Sequence, residues 1–126
     1  MRKFATIVAA AILLASPTVA QQHDHSNVRG PNGGPIKGLA GVHAEFVSSG
    51  TTVTFNILNE DNKPISAKGY TGAALIVSGS ERETVQLTAG DNSLKGEAKK
   101  ALPSGAAVTL QLKADAGKSG QARFTK

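Results

Sequence analysis

The stretch Val42-His43-Ala44-Glu45-Phe46-Val47-Ser48-Ser49-Gly50-Thr51-Thr52-Val53-Thr54-Phe55-Asn56-Ile57 decides the fold. Its apolar residues recur at every second position, first as Val42, Ala44 and Phe46, then as Val53, Phe55 and Ile57. A period of two is the mark of a half-buried β-strand. Between the two sets, Ser48-Ser49-Gly50 supplies a hairpin-like turn. Side chains at i and i+2 share a face, so His43 and Glu45 are expected to point away from the core together.

The same grammar continues downstream. Glu60-Asp61-Asn62-Lys63-Pro64 is a second turn, rich in residues that bond their own backbone or preset φ. Ala73 to Val77 is continuously apolar, as expected of a central strand. Ser78-Gly79-Ser80 leads into Val85 and Leu87, and Ala89-Gly90-Asp91-Asn92 into a short segment around Leu94. Lys95 to Leu102 reads as an edge strand. Val108, Leu110 and Leu112 alternate with polar residues, as do Ala122 and Phe124. About seven short strands with turn signals roughly every 8–12 residues predict an all-β fold, an antiparallel Ig-like β-sandwich over residues 42–126. No sustained helical period or βαβ spacing competes with it.

Upstream, Gln21 to Gly41 carries Gly30, Gly33, Gly34, Gly38 and Gly41 with Pro31 and Pro35 and few apolar residues. It reads as a flexible arm, residues 21–41, with regular structure beginning near Val42. Residues 1–20 read as a cleaved signal peptide. Arg2 and Lys3 precede the apolar run Phe4 to Ala15, and Ser16-Pro17-Thr18-Val19-Ala20 forms a small-residue processing site. The run is shorter than the ~20 residues needed to span a bilayer. The expectation is a periplasmic or secreted protein with no stable membrane insertion once the leader is removed.

Composition narrows the function. The sequence has no cysteine, so disulfides and thiolate metal sites are excluded. The formal charge of +5 falls by two when Arg2 and Lys3 leave with the leader. The remaining lysines are scattered and aromatics are few, which argues against nucleic acid. No Ser nucleophile elbow, Cys or suggestive acid pair is present, so no enzyme is expected.

The three histidines are the informative chemistry. Cleavage after Ala20 would give a chain beginning Gln21-Gln22-His23. A free amine, two deprotonated amides and the His23 imidazole can then surround Cu(II) or Ni(II) in a plane. His23-Asp24-His25 places two imidazoles around a carboxylate, a plausible borderline-metal site. His43 and Glu45 on one strand face are a further ligand pair, or else a solvated polar pair.

Pro31-Asn32-Gly33-Gly34, followed by Gly41-Val42-His43-Ala44-Glu45-Phe46-Val47, resembles a small periplasmic domain met in heavy-metal resistance systems. That domain occurs free-standing or within periplasmic adaptor subunits of metal-efflux pumps. Asp61-Asn62-Lys63-Pro64-Ile65, the Gly90-Asp91-Asn92 turn and the closing Gly120-Gln121-Ala122-Arg123-Phe124 are also similar. Where the family pattern often has His before Gly-Gly, this sequence has Asn32. The resemblance implies non-catalytic handling of a divalent transition metal (Cu, Ni, Zn or Co) and a metal-efflux or envelope protein as partner. His43 and Glu45 match its pattern. The expected ligand set is therefore His23, His25, His43 and Glu45, with Asp24. The competing expectation is an envelope interaction module that binds a protein through a sheet edge.

Overall fold

The computed structural model describes residues 28–126. The expected leader and the His23-Asp24-His25 segment lie outside the described residues. The strands are β1 (Ile36–Leu39), β2 (Val42–Ser49), β3 (Thr52–Leu58), β4 (Thr71–Ser78), β5 (Glu81–Ala89), β6 (Ser93–Glu97), β7 (Ala107–Lys113) and β8 (Ser119–Thr125). No described residue is helical.

All pairings are antiparallel, and they form one eight-stranded sheet of order β1-β2-β3-β6-β5-β4-β7-β8. The expected all-β class is what forms. The layout is not two separate sheets: the single sheet rolls until its terminal strands, β1 and β8, lie against each other. β4, β5 and β6 run consecutively side by side, and β7 returns to the far side of β4. That order is a Greek key. The seam between β5 and β6 is thin, with only Thr88↔Lys95 and Ala89↔Leu94 paired.

The strand count and two boundaries differ from the reading of the sequence. β1 starts at Ile36, inside the stretch expected to be a flexible arm. Its residues Ile36-Lys37-Gly38-Leu39 are buried only at the ends, so no period of two betrays them. Lys95 to Leu102 is not an edge strand: Lys95 to Glu97 belong to β6, which lies between β3 and β5, and the chain leaves the sheet after Glu97. Turn chemistry, by contrast, reads through directly. Ser49 pairs with Thr52 and Ser78 with Glu81. These are two-residue hairpins with Gly50 (φ +57°) and Gly79 (φ +59°) in first place.

The core fills the inside of the roll. Phe46 faces Phe55 across the β2–β3 ladder, and Phe124 reaches them from β8. Their ring centroids lie 5.4, 5.6 and 5.7 Å apart in tilted arrangements, within the favoured range for aromatic pairs. Val53, Ile57, Leu94, Val108 and Leu110 close around them with no exposed surface. Burying each such side chain contributes about 1.5–3 kcal/mol.

Two predictions follow from the packing. At the closing seam, a Cβ on Gly120 would sit 2.8 Å from the Ala40 backbone nitrogen and 3.3 Å from Leu39 Cβ. Gly120→Ala should therefore destabilise the fold by about 1–3 kcal/mol in urea titration. At the β2–β3 turn, the hydroxyls of Thr52 and Thr51 donate to the Glu97 carboxylate at 2.6 and 2.8 Å. These bonds, Thr52's first, hold the Glu97 carboxyl below its ordinary 4.5. Their stabilisation is complete above the ordinary carboxylate range and disappears as pH falls through the lowered value. An NMR titration should find the Glu97 midpoint below 4.5, and Thr52→Val should raise it.

Candidate functional site

The outer face of β1, β2 and β3 carries the polar residues singled out in the sequence. Register lines them up in two rows. Gly38 pairs with His43 and His43 with Leu58; Ile36 pairs with Glu45 and Glu45 with Asn56. His43 and Glu45 thus share a face, as their spacing requires. Their surroundings differ completely.

Glu45 is fully buried. The expectation of a solvated outward carboxylate fails because residues 28–35 fold back over β2. Arg29 lies antiparallel to Pro35, and Ile36 N–H donates to Val28 O at 3.3 Å. The turn between them is closed by Gly33 N–H to Gly30 O at 2.9 Å and Gly30 N–H to Gly34 O at 2.8 Å. Pro35 O accepts from Phe46 N–H at 3.0 Å, which seats the turn on β2.

This seating presents three N–H donors to one carboxylate, and Asn56 on β3 adds a fourth. Asn32 N–H and Gly34 N–H donate to Glu45 Oε2 at 2.8 and 2.9 Å. The Asn32 side-chain amide donates to Oε1 at 2.9 Å, and the Asn56 amide at 3.3 Å. A buried carboxylate is costly unless fully bonded, and this one is. No Lys or Arg pairs with it among the described residues. The turn must come very close to achieve this. A Cβ on Gly30 would strike the Glu45 carboxyl group, and one on Gly34 would strike the Phe46 carbonyl oxygen. The run Gly30-Pro31-Asn32-Gly33-Gly34 is therefore the lid of a carboxylate clamp.

His43 is half-buried and remains reachable. Its Nδ1 lies 2.8 Å from Asn62 Oδ1. An amide oxygen only accepts, so the proton of the neutral ring sits on Nδ1 and Nε2 keeps its lone pair. Asn62 holds a left-handed conformation (φ +60°) in a turn organised by Asn59. Asn59 Oδ1 accepts from Asp61 N–H and Lys63 N–H at 2.9 and 3.0 Å. On its other side the ring borders Gly38, where even an added Cβ would remain 3.9 Å from Nε2. The imidazole is oriented by Asn62, and its Nε2 makes no hydrogen bond among the described residues.

The structure therefore separates two residues that the sequence grouped. Glu45 offers no spare oxygen valence to an ion, while His43 does offer a nitrogen. Among the described residues, no group of three or more His, Asp or Glu converges on a point. His23, Asp24 and His25 lie outside the described residues. Asn32, Asn56 and Asn62 are the partners the sequence reading missed. The available signal was a polar Asn56 in mid-strand and an Asn beside two glycines. No family model, curated protein or solved structure matches this chain.

Glu45→Ala should orphan the donors of Asn32, Gly34 and Asn56 and cost roughly 3 kcal/mol in chemical denaturation. Acetate, a carboxylate of matching shape, should restore part of that loss, while chloride at the same ionic strength should not.

Proposed function

We propose that the chain is an exported, non-catalytic accessory protein that captures a divalent transition metal ion, Cu(II), Ni(II), Zn(II) or Co(II), in the periplasm. In this reading residues 1–20 are the leader, removed after Ala20. The two four-stranded halves that meet at β5 and β6 are the layers of an Ig-like sandwich. A metal-efflux or envelope protein is the partner.

The observation that carries the reading is His43, whose Nδ1 is tied to Asn62 Oδ1 at 2.8 Å. Imidazoles suit all four metals. A second observation supports it. Pairing at Val28 and Arg29 ties down the chain just after the other two histidines. His25 is three residues before Val28 and His23 five. Fully extended, those tethers reach at most about 10 and 17 Å. In this reading the two imidazoles, with Asp24 between them, are drawn to His43 within that length of chain. The proposed shell is His43 with His23, His25 and Asp24. Glu45 is left out of it, because its four donors already fill it.

A different reading has one observation in its favour. β5 meets β6 through only two residue pairs, so Glu81–Leu87 has a sheet edge beside the Ala98–Pro103 segment. A slot of about 280 Å³ there is lined by Ile76, Ala98 and Leu102. An added strand from a partner protein fits such an edge.

Calorimetry of the chain beginning at Gln21 with Cu(II), Ni(II) and Zn(II) separates the readings. Binding tighter than about 100 μM, near −5.5 kcal/mol, is expected for at least one metal. His43→Ala should weaken it more than tenfold, and Asn62→Ala by about tenfold through loss of the orienting acceptor. Binding lost with His23→Ala but untouched by His43→Ala would move the site to the amino terminus alone. Absence of binding for all three metals would sink the metal reading and leave the sheet edge.

A further inference from the structure

The lid of the clamp contains Asn32 followed by Gly33. In such a pair the next backbone nitrogen can reach the Asn side-chain carbon with little hindrance, because glycine has no Cβ. We propose that Asn32–Gly33 is a self-modification site, a deamidation site that the Glu45 clamp holds closed, and that its conversion releases the amino-terminal arm irreversibly.

The chemistry needs only water. Gly33 N gives up its proton to solvent base and bonds to Asn32 Cγ. The Cγ–Nδ2 bond breaks, Nδ2 takes up a proton and ammonia leaves. Water then opens the five-membered imide at one of its two carbonyls. Opening leaves aspartate or isoaspartate at position 32. No electron changes hands.

In the closed clamp every group in that step is occupied. Gly33 N–H donates to Gly30 O at 2.9 Å. The leaving amide of Asn32 is held by Glu45 Oε1 at 2.9 Å, and Asn32 N–H by Oε2 at 2.8 Å. Attack requires the turn to open, so the rate in the folded chain reads the opening equilibrium of the lid. The product cannot close again. A carboxylate would stand where an amide donor faced Oε1, opposing like charges at a buried site and replacing a donor with an acceptor. Isoaspartate would also lengthen the backbone between two residues whose N–H groups both serve Glu45. The lid's failure frees residues 28–35 from β2. The inference concerns the clamp alone and stands whether or not the chain binds metal.

The test compares the chain beginning at Gln21 with a synthetic peptide of residues 28–36, both held at mildly alkaline pH and mapped by mass spectrometry over time. Asn32 should convert at least tenfold more slowly in the folded chain, and Glu45→Ala should bring its rate to that of the peptide. Equal rates in chain and peptide would overturn the proposal. Independently, Asn32→Asp should abolish amide-exchange protection of the Gly34 and Phe46 N–H groups at neutral pH. The double variant Asn32→Asp/Glu45→Gln should restore it, since a neutral amide can donate to the new carboxylate. Protection that survives Asn32→Asp alone would equally overturn it.

Discussion

One buried carboxylate fixes the amino-terminal third of the described chain. Glu45 sits on the face of β2 that points away from the phenylalanine core, where an acidic residue would ordinarily meet water. It is instead fully covered. A charge can stay there only if donors replace its hydration, and the turn of residues 30–34 brings three of the four it has. The requirement runs in both directions. The turn has almost no apolar surface of its own and would not order without an anion to organise its N–H groups. The anion would not tolerate burial without the turn. β1 is seated by the same arrangement, since Ile36 pairs directly with Glu45.

Much of the sheet is written locally. Alternation at Val42-Ala44-Phe46 and Val53-Phe55-Ile57 gives two strands and their inward faces, and the glycines at 50 and 79 give their hairpins. These features depend on neighbours one to four residues away, which is the range over which propensity and pattern operate. The burial of Glu45 depends on residues 11 and 13 positions upstream in the chain. Alternation recognises an inner and an outer face. It cannot recognise an outer face that a loop has covered. β1 is illegible for a related reason. It is short, and its buried residues are Ile36 and Leu39, with Lys37 and Gly38 exposed between them.

The candidate site shows the same division. His43 is legible as a residue of interest from its type and its place on the outer face. What makes it chemically distinct is Asn62, nineteen residues away, set in a turn whose shape Asn59 maintains. Two residues with the same spacing and the same facing thus take different roles. One is an internal anion that shapes the chain, and the other is a half-buried imidazole oriented by an amide. Asn32, which the sequence shows only as part of a glycine-rich turn, is a partner of Glu45.

The two seams of the sheet have a mechanical consequence. Where β5 meets β6 the ladder is two residue pairs long, and β8 meets β1 as the opposite end of the strand order. Backbone hydrogen bonds resist sliding because they are directional; packed side chains yield more gradually. The half containing β1 to β3 and the half containing β4, β7 and β8 are therefore joined chiefly by interdigitated side chains. Phe124 packed against Phe46 and Phe55 is one of these joints. Three rings, one from each of β2, β3 and β8, thus bridge the rolled sheet where its ladder gives least support.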